Sequence, residues 1–277
     1  MYLIFTPSSV EFYDAAANLA GRYHYRDEFK PHFHPLKTPR GHTISLASPH
    51  DHKHHKGLMY ALRTETVNFW EERSTLPNEQ VGIQQHQEFA QVTGSGEQVG
   101  FVETLVWLEQ PSGRVVFTET REIRCRMEPA QGGYLWSWRA RLTAAEDCRL
   151  IQSQWSSTSE DGRKINYHGL GLRLCRAFGG GTGNNKLVLD GVETAFKDGM
   201  GSAPRQAVFT GSFDGNWPVE RASVRFEQRQ NNTLYVLSEP FAFLSMGPSN
   251  AAPLDWKKGA VIEEAYSVLI ADGDIAE

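Results

Sequence analysis

The feature of this sequence that most limits its fold is an alternation of apolar and polar residues with a period of two. The clearest alternating segments, residues 102–109 and 114–120, flank the turn-forming run Gln-Pro-Ser-Gly at 110–113. Because successive side chains of a strand point to opposite faces of a sheet, this pattern predicts a β-hairpin. No stretch of twelve residues shows the 3.6-residue periodicity of a helix. The sequence therefore predicts an all-β chain.

Similar alternating segments recur along the chain, separated by Asp-Gly and other turn signals. The length of 277 residues is within reach of one large β-sandwich or barrel. No linker, change of composition or internal repeat divides the chain, so we expect a single domain over residues 1–277. The Gly-rich run 179–185 is predicted to be a plain loop, because it lacks the lysine and the following helix of a phosphate-binding loop.

Charge and hydropathy exclude several classes of partner. The formal net charge is −5, so no nucleic acid is expected to bind, since the phosphate backbone calls for a basic surface. The longest apolar stretches are far shorter than the roughly 20 residues that span a bilayer, and the N-terminus does not resemble a signal peptide. We expect no membrane association and a cytoplasmic location. The cysteines, Cys125, Cys148 and Cys175, show no CxxC spacing and predict no disulfide framework.

The histidines of this chain are concentrated in one segment. Eight of the ten lie between residues 24 and 55: His24, His32, His34, His42, His50, His52, His54 and His55. A single histidine is usually a hydrogen-bonded surface or core residue. Eight groups that titrate near neutral pH cost stability in acid unless a site uses them, so the cluster predicts a functional site.

The spacing within residues 49–58 supports two chemistries. In an extended backbone His50, His52 and His54 would lie on one face and His55 on the other. Alternate imidazoles such as His52 and His54 can bind a divalent metal, with a third ligand from elsewhere. They can also act as general acid and base around an organic substrate. No HExxH or paired-cysteine pattern is present to favour the metal, and the residues leave both chemistries open.

Three segments carry a resemblance to a known family. Residues 31–42 and 51–58, followed by Val-Asn-Phe-Trp at 67–70, resemble the family labelled "methane oxygenase PmoA-like". At Lys56 the family is expected to have arginine, so a bidentate anion contact becomes a point-charge contact. The methane-oxidising activity in the label is not expected, because it would need several apolar membrane spans.

The resemblance implies a large antiparallel β-sandwich, similar to the galactose-mutarotase-like supersandwich of carbohydrate enzymes. Residues 253–266 look like the last long strand of that fold. Asn166-Tyr167-His168 looks like the mid-chain element that supplies a catalytic imidazole in mutarotases. Residues 244–250 lack the glutamate that mutarotases carry before their final strand, so plain aldose 1-epimerase activity is not expected.

These arguments select a set of candidate site residues. Glu71 and Glu72 follow the aromatic pair that closes the resembling segments and are the nearest carboxylate partners for an imidazole, with Glu119 and Glu122 as alternatives. Aromatic rings commonly form the floor of sugar sites, and Trp70 is the first candidate for such a ring. Trp136, Trp138 and Trp155 are further candidates for such a ring. The expected catalytic residues are His54, His55, His168 and Glu71. The expected substrate-binding residues are His32, His34, Arg40, His52, Lys56, Trp70 and Arg173. No cofactor is expected, and His52 and His54 would be ligands if a divalent metal binds.

The function predicted from the sequence is that of a carbohydrate-active enzyme with histidine acid/base chemistry. Its reaction would be an epimerisation, an elimination or a hydrolysis on a small sugar or glycoside, keto-sugars included. One alternative is a carbohydrate-binding protein without catalysis, in which the histidines only form hydrogen bonds. A second alternative is a metal-dependent hydrolase or lyase.

Overall fold

The structure is a computed structural model that describes residues 1–179, 185–215 and 217–275. Most of the Gly-rich run 179–185 lies outside these ranges. In chain order the strands are β1 (Tyr2–Phe5), β2 (Ser9–Tyr13), β3 (Leu19–His24), β4 (His32–Leu36), β5 (Leu58–Ala61), β6 (Val67–Asn68), β7 (Gln80–Thr93), β8 (Gln98–Gln110), β9 (Val115–Glu128), β10 (Gly133–Ala144), β11 (Cys148–Leu150), β12 (Ser157–Thr158), β13 (Lys164–Ile165), β14 (Gly169–Arg173), β15 (Lys186–Leu189), β16 (Val192–Glu193), β17 (Gln206–Phe213), β18 (Glu220–Gln228), β19 (Thr233–Leu237), β20 (Phe243–Gly247), β21 (Leu254–Trp256) and β22 (Val261–Asp272).

The helical segments of the described residues are short. They are the 3₁₀ turns Pro129–Gln131 and Arg176–Phe178 and the helix α1 (Phe196–Gly199). None of these could cross a bilayer. The prediction of an all-β chain is confirmed.

Two large sheets form the sandwich. The eight-stranded sheet has the order β1-β2-β3-β4-β5-β14-β20-β19, and the ten-stranded sheet has the order β16-β15-β17-β18-β22-β10-β9-β8-β7-β6. Neighbouring strands are antiparallel apart from the short parallel pair β6–β7. The predicted hairpin is the pair β8–β9, which extends further in both strands than the alternating segments indicate. The predicted large antiparallel β-sandwich is confirmed, and a single domain over residues 1–277 stays a prediction.

The main hydrophobic core lies between the two sheets. A second apolar cluster lies on the outer face of the eight-stranded sheet. In β5, Leu58 and Tyr60 point into the main core, while Met59 and Ala61 belong to the second cluster. This division follows from the alternation of side chains along a strand. Loops that pack on the outer face of β5, β14, β20 and β19 bury the second cluster and build the candidate site.

A glycine makes room for these loops. Gly171 of β14 pairs with Met59 and Ser245 on the outer face. A Cβ at Gly171 would lie 2.8 Å from Cζ of Phe243 and 3.2 Å from the ring of Trp70. The missing side chain therefore allows both rings to pack directly on the sheet.

Candidate active site in a histidine-lined pocket

A cavity of about 840 Å³ lies on the outer face of the eight-stranded sheet. One wall consists of residues 50–55 and 71–73, which carry most of the polar groups. A second wall consists of Trp155, Tyr235 and residues in the range 237–243, and Tyr167 also lines the cavity. This wall adjoins the first, since the ring centroid of Phe241 lies 4.6 Å from that of His52. We call this cavity the histidine pocket.

The histidine segment folds into turns instead of the extended backbone that the sequence predicts. The N–H of His52 donates to the carbonyl of Pro49 at 3.0 Å, and the N–H of His55 donates to the carbonyl of His52 at 3.0 Å. The prediction that His55 faces away from His52 and His54 is therefore wrong. The ring centroid of His55 lies 4.8 Å from that of His52 and 4.5 Å from that of His54.

Gly57 directs the chain from these turns into β5. Its φ is +78°, a left-handed conformation that side chains other than glycine rarely adopt. A Cβ at this position would lie 2.2 Å from the carbonyl oxygen of Phe33. Glycine is therefore required for the close approach that places the histidines over the sheet.

Burial keeps the imidazoles of His54 and His55 neutral. Burial, together with the positive charge of Lys30, lowers the pKa of His54 to about 3. Burial also lowers the pKa of His55 well below its usual value, and protonation of the neighbouring His54 would lower it further. His55 stacks on Phe243 at a centroid distance of 5.0 Å. Nε2 of His54 and Nδ1 of His55 are buried without a hydrogen-bond partner among the described residues.

His168 is held in one tautomer by its neighbours. The N–H of Ser153 donates to Oδ1 of Asn166 at 3.1 Å, which orients the side-chain amide. Nδ2 of Asn166 then donates to Nδ1 of His168 at 2.5 Å. Burial lowers the pKa of His168 well below its usual value, with a smaller contribution from Arg63. The neutral ring therefore carries its proton on Nε2, which has no partner in the described part of the chain.

Glu71 presents one carboxylate oxygen without a partner. Its Oε1 accepts hydrogen bonds from Ser153 Oγ at 2.7 Å, Arg63 Nη1 at 3.3 Å and the Tyr167 hydroxyl at 3.3 Å. Its Oε2 is buried and receives no hydrogen bond from any described residue. Oδ1 of Asn68 accepts from the N–H of Glu71 at 2.9 Å, which shapes the turn after β6. The carboxyl group is thus fixed by one oxygen while the other remains available.

An ion cluster behind the pocket holds the neighbouring Glu72. Nζ of the fully buried Lys30 lies 2.8 Å from Glu72 Oε1 and donates to the carbonyl of Trp70 at 2.7 Å. Nζ of Lys56 lies 3.5 Å from Asp27 Oδ2 and 3.8 Å from Glu72 Oε2. Lys56, predicted to contact substrate, therefore contributes to this cluster and does not line the pocket. The sequence analysis missed Lys30, and no pattern around it distinguishes a buried lysine from an exposed one.

Several predicted site residues converge on the pocket from distant parts of the chain. His52, His54, His55 and Glu71 line it directly. His168 lies behind the lining, with its ring centroid 5.3 Å from that of Trp70. Nδ1 of His52 lies 3.1 Å from Oδ2 of Asp51.

Arg173 reaches the site through an aromatic ring. Its guanidinium carbon lies 4.0 Å from the centroid of Phe241, which lines the pocket. Burial lowers the pKa of Arg173 to about 10, and its Nη2 lies 3.9 Å from Asp51 Oδ2. Arg173 therefore supports the pocket wall and contributes positive charge beside it.

Three predicted substrate-binding residues lie away from the pocket lining. His32 stacks on His24 at 4.9 Å. Nδ1 of His34 lies 3.0 Å from Ser45 Oγ. Arg40 is exposed in a loop where its N–H donates to Asp272 at 2.9 Å. None of these three side chains lines the pocket, whose walls are formed by loops over β5, β14, β20 and β19.

The four candidate tryptophans fall into three environments. Trp136 and Trp138 belong to the core between the sheets. Trp70 is fully buried under the pocket, against Tyr167 and Phe243. Trp155 is 57% exposed and lines the pocket. Of these four residues, Trp155 is the one whose ring a ligand can reach without displacement of the protein.

The residues that the structure describes contain no group of three or more His, Cys, Asp or Glu side chains placed to hold a metal ion. The ring centroids of His52 and His54 are 5.9 Å apart and tilted by 57°. The hypothesis of a metal held by His52 and His54 therefore lacks a third ligand in the described ranges.

Fold and site together define a β-sandwich protein with a buried polar cluster in a surface pocket. The chain belongs to the Family of unknown function (DUF6807), whose profile matches residues 15–277. The matching family does not carry the label "methane oxygenase PmoA-like" of the family that residues 31–42, 51–58 and 67–70 resemble. No curated protein matches the chain.

Solved structures with a similar arrangement share little sequence with this chain. A galactose 1-epimerase from Lactobacillus acidophilus NCFM is 10% identical with a TM-score of 0.42, over 96% of this chain and 98% of that one. A GH36 alpha-galactosidase from Geobacillus stearothermophilus is 9% identical with a TM-score of 0.43, over 99% of this chain and 41% of that one. A galactose mutarotase related enzyme from Lactobacillus acidophilus is 7% identical with a TM-score of 0.36, over 100% and 98% of the two chains. With TM-scores below 0.5, these likenesses carry no inference about activity.

Proposed function

We propose that this protein is a carbohydrate-active enzyme that transfers protons at a sugar carbon or glycosidic oxygen. The observation that carries the proposal is the unpartnered Oε2 of Glu71 in the same pocket as the neutral imidazoles of His54 and His55. An unpaired carboxylate oxygen is costly in a buried position, and such costs are concentrated where a ligand supplies the missing partner.

The polar side chains of the histidine pocket divide into a proton acceptor and hydrogen-bond donors. Glu71 Oε2 can take a proton from a sugar carbon or hydroxyl. A neutral imidazole that lines the pocket, such as that of His54, can donate an N–H to a sugar oxygen without becoming charged first. A keto-sugar fits this division well, because its carbonyl acidifies the adjacent C–H and accepts the hydrogen bond.

The proposed catalytic residues are His54, His55, His168 and Glu71. His52 and Arg173 are proposed to contact or position substrate from the rim. An epimerase, a lyase and a glycoside hydrolase would all use such an arrangement, and the partner is a small carbohydrate.

The test measures proton exchange, so it does not require the reaction to be known. The protein is incubated in D₂O with sugars, glycosides and their keto derivatives, and ¹H NMR follows loss of C–H signals and formation of products. We expect exchange or turnover with at least one compound, and a decrease of roughly 10²-fold or more in Glu71→Gln. Glu263→Gln, an exposed carboxylate on the outer face of the other sheet, serves as the control.

Two results would contradict the proposal. Saturable sugar binding without exchange or turnover across the panel would identify a carbohydrate-binding protein without catalysis. Full activity in Glu71→Gln, with the same melting temperature as the wild type, would exclude Glu71 as the proton acceptor.

A further inference from the structure

The two walls of the histidine pocket differ in chemistry. The wall that adjoins the histidines includes Leu237, Pro240 and Phe241, together with Trp155. Leu237 and Phe241 are half-buried and Pro240 is exposed, although all three are apolar. Trp155 is 57% exposed. Apolar groups thus face open space on this side of the pocket.

This wall offers few hydrogen-bonding groups to a sugar. The hydroxyl of Tyr235, its clearest polar group, already shares a 2.9 Å hydrogen bond with Ser157 Oγ. A sugar ring placed here would gain few hydrogen bonds from the protein beyond those that water already gives it. An apolar group placed here would instead remove hydrophobic surface from water.

The wall is also held in place before any ligand binds. The ring of Phe241 contacts the guanidinium of Arg173, 4.0 Å from its centroid, and the ring of His52, 4.6 Å away. A ring held by two such contacts loses little conformational entropy on binding, so the surface is preorganised.

The size of the cavity leaves space for more than a sugar. Its volume of about 840 Å³ is near the upper end of the range of about 300–1,000 Å³ for pockets that enclose drug-sized ligands. A monosaccharide at the histidine wall would leave the apolar wall uncovered. A second sugar at the apolar wall would gain few hydrogen bonds from the protein, for the reason given above.

We infer that the substrate is a glycoside whose non-sugar part is an aromatic group bound against Trp155, Leu237 and Phe241. This inference rests on the proposed function, since it places the sugar against the histidines and Glu71. The glycosidic oxygen would lie between the two walls.

The experiment uses the full chain and five probes: 2-naphthol, and the methyl and 4-nitrophenyl glycosides of glucose and of galactose. Isothermal titration calorimetry gives the Kd of each probe. We expect 2-naphthol to bind saturably, and a 4-nitrophenyl glycoside to bind at least about tenfold more tightly than its methyl counterpart. Trp155→Ala should weaken binding of the aromatic probes by about fivefold or more, with little effect on the methyl glycosides.

Trp217→Ala is the matched control, since Trp217 is 93% exposed and lies outside the pocket lining. Leu237→Ser tests the same apolar wall at the last residue of β19. Absence of saturable 2-naphthol binding, or an equal effect of Trp155→Ala and Trp217→Ala, would overturn the inference. Equal affinity for matched methyl and 4-nitrophenyl glycosides would also overturn it while leaving the proposed function intact. Saturable binding of 2-naphthol, together with no proton exchange or turnover across the panel in D₂O, would support the aromatic subsite and contradict the proposed function.

Discussion

The side-chain amide of Asn166 donates a 2.5 Å hydrogen bond to Nδ1 of His168. The amide cannot be reversed without loss of the hydrogen bond from the Ser153 N–H to its Oδ1. The Ser153 N–H therefore determines, through the amide of Asn166, which nitrogen of the buried His168 ring carries the proton.

Asn166→Asp should therefore change the tautomer of His168. A carboxylate at this position accepts hydrogen bonds only, so Nδ1 of His168 must become protonated to donate to it. We expect ¹⁵N NMR to show protonation at Nε2 in the wild type and at Nδ1 in the variant. Turnover should decrease with this change. An unprotonated Nδ1 in Asn166→Asp would show that the hydrogen bond does not control the ring.

Gly171→Ala should destabilise the fold beneath the pocket. The new Cβ would lie 2.8 Å from Cζ of Phe243 and 3.2 Å from Trp70. Neither ring can move freely, so we expect a loss of about 1–3 kcal/mol in the free energy of unfolding, measured by urea denaturation. In Gly94→Ala, where the added Cβ meets no atom within 4 Å, the loss should be much smaller. Equal losses in both variants would show that the tight packing at Gly171 is unimportant.

Glu119→Gln should lower the free energy of unfolding, because it removes the negative charge that pairs with the buried guanidinium of Arg121. Arg121 is fully buried in the sandwich, and its Nε and Nη2 donate to the two Glu119 oxygens at 2.7 and 2.8 Å. We expect a loss of about 3–5 kcal/mol in the free energy of unfolding. Asp255→Asn, which removes the exposed ion pair with Arg149, should cost no more than about 1 kcal/mol. Comparable losses would contradict the assignment of Arg121 to a closed ion pair.

Stability should depend on pH through Glu264, a buried carboxyl group. Burial raises its pKa from 4.5 to about 7, although Tyr266 and Asn232 donate hydrogen bonds to it. Because the folded state binds this proton more tightly than the unfolded state, the stabilisation is complete below pH 4.5. It is lost as the pH rises to about 7, at about 1.4 kcal/mol per pH unit.

Urea denaturation of the wild type and Glu264→Gln between pH 4.5 and 8 isolates this contribution. Histidines with lowered pKa values act in the opposite direction in the same range, but they are common to both proteins. The wild type should therefore lose stability relative to Glu264→Gln as the pH rises. The adjacent exposed Glu263→Gln should run parallel to the wild type. Parallel curves for Glu264→Gln and the wild type would mean that Glu264 ionises normally.

The sequence by itself determined the all-β architecture and the segment that carries the polar wall of the pocket. Alternation with a period of two is a local property of an extended backbone, so residues 102–109 and 114–120 were sufficient to predict the pair β8–β9. The concentration of histidines near residues 50–55 likewise marked a wall of the cavity without knowledge of the strand order.

The tertiary structure alone decided which of these groups meet. Glu71 lines the same pocket as the histidines, and Arg40 does not. Contacts between distant strands and loops determine which part of the sheet these loops cover. The turns at residues 49–55 replaced the expected extended backbone, since their hydrogen bonds are made within the loop and not to a neighbouring strand. Burial, too, is a property of the assembled fold: nothing local to Lys30 or Trp70 indicates that each is completely enclosed. The physical reason is that periodicity arises between adjacent residues, whereas burial and pairing depend on contacts between residues far apart in the chain.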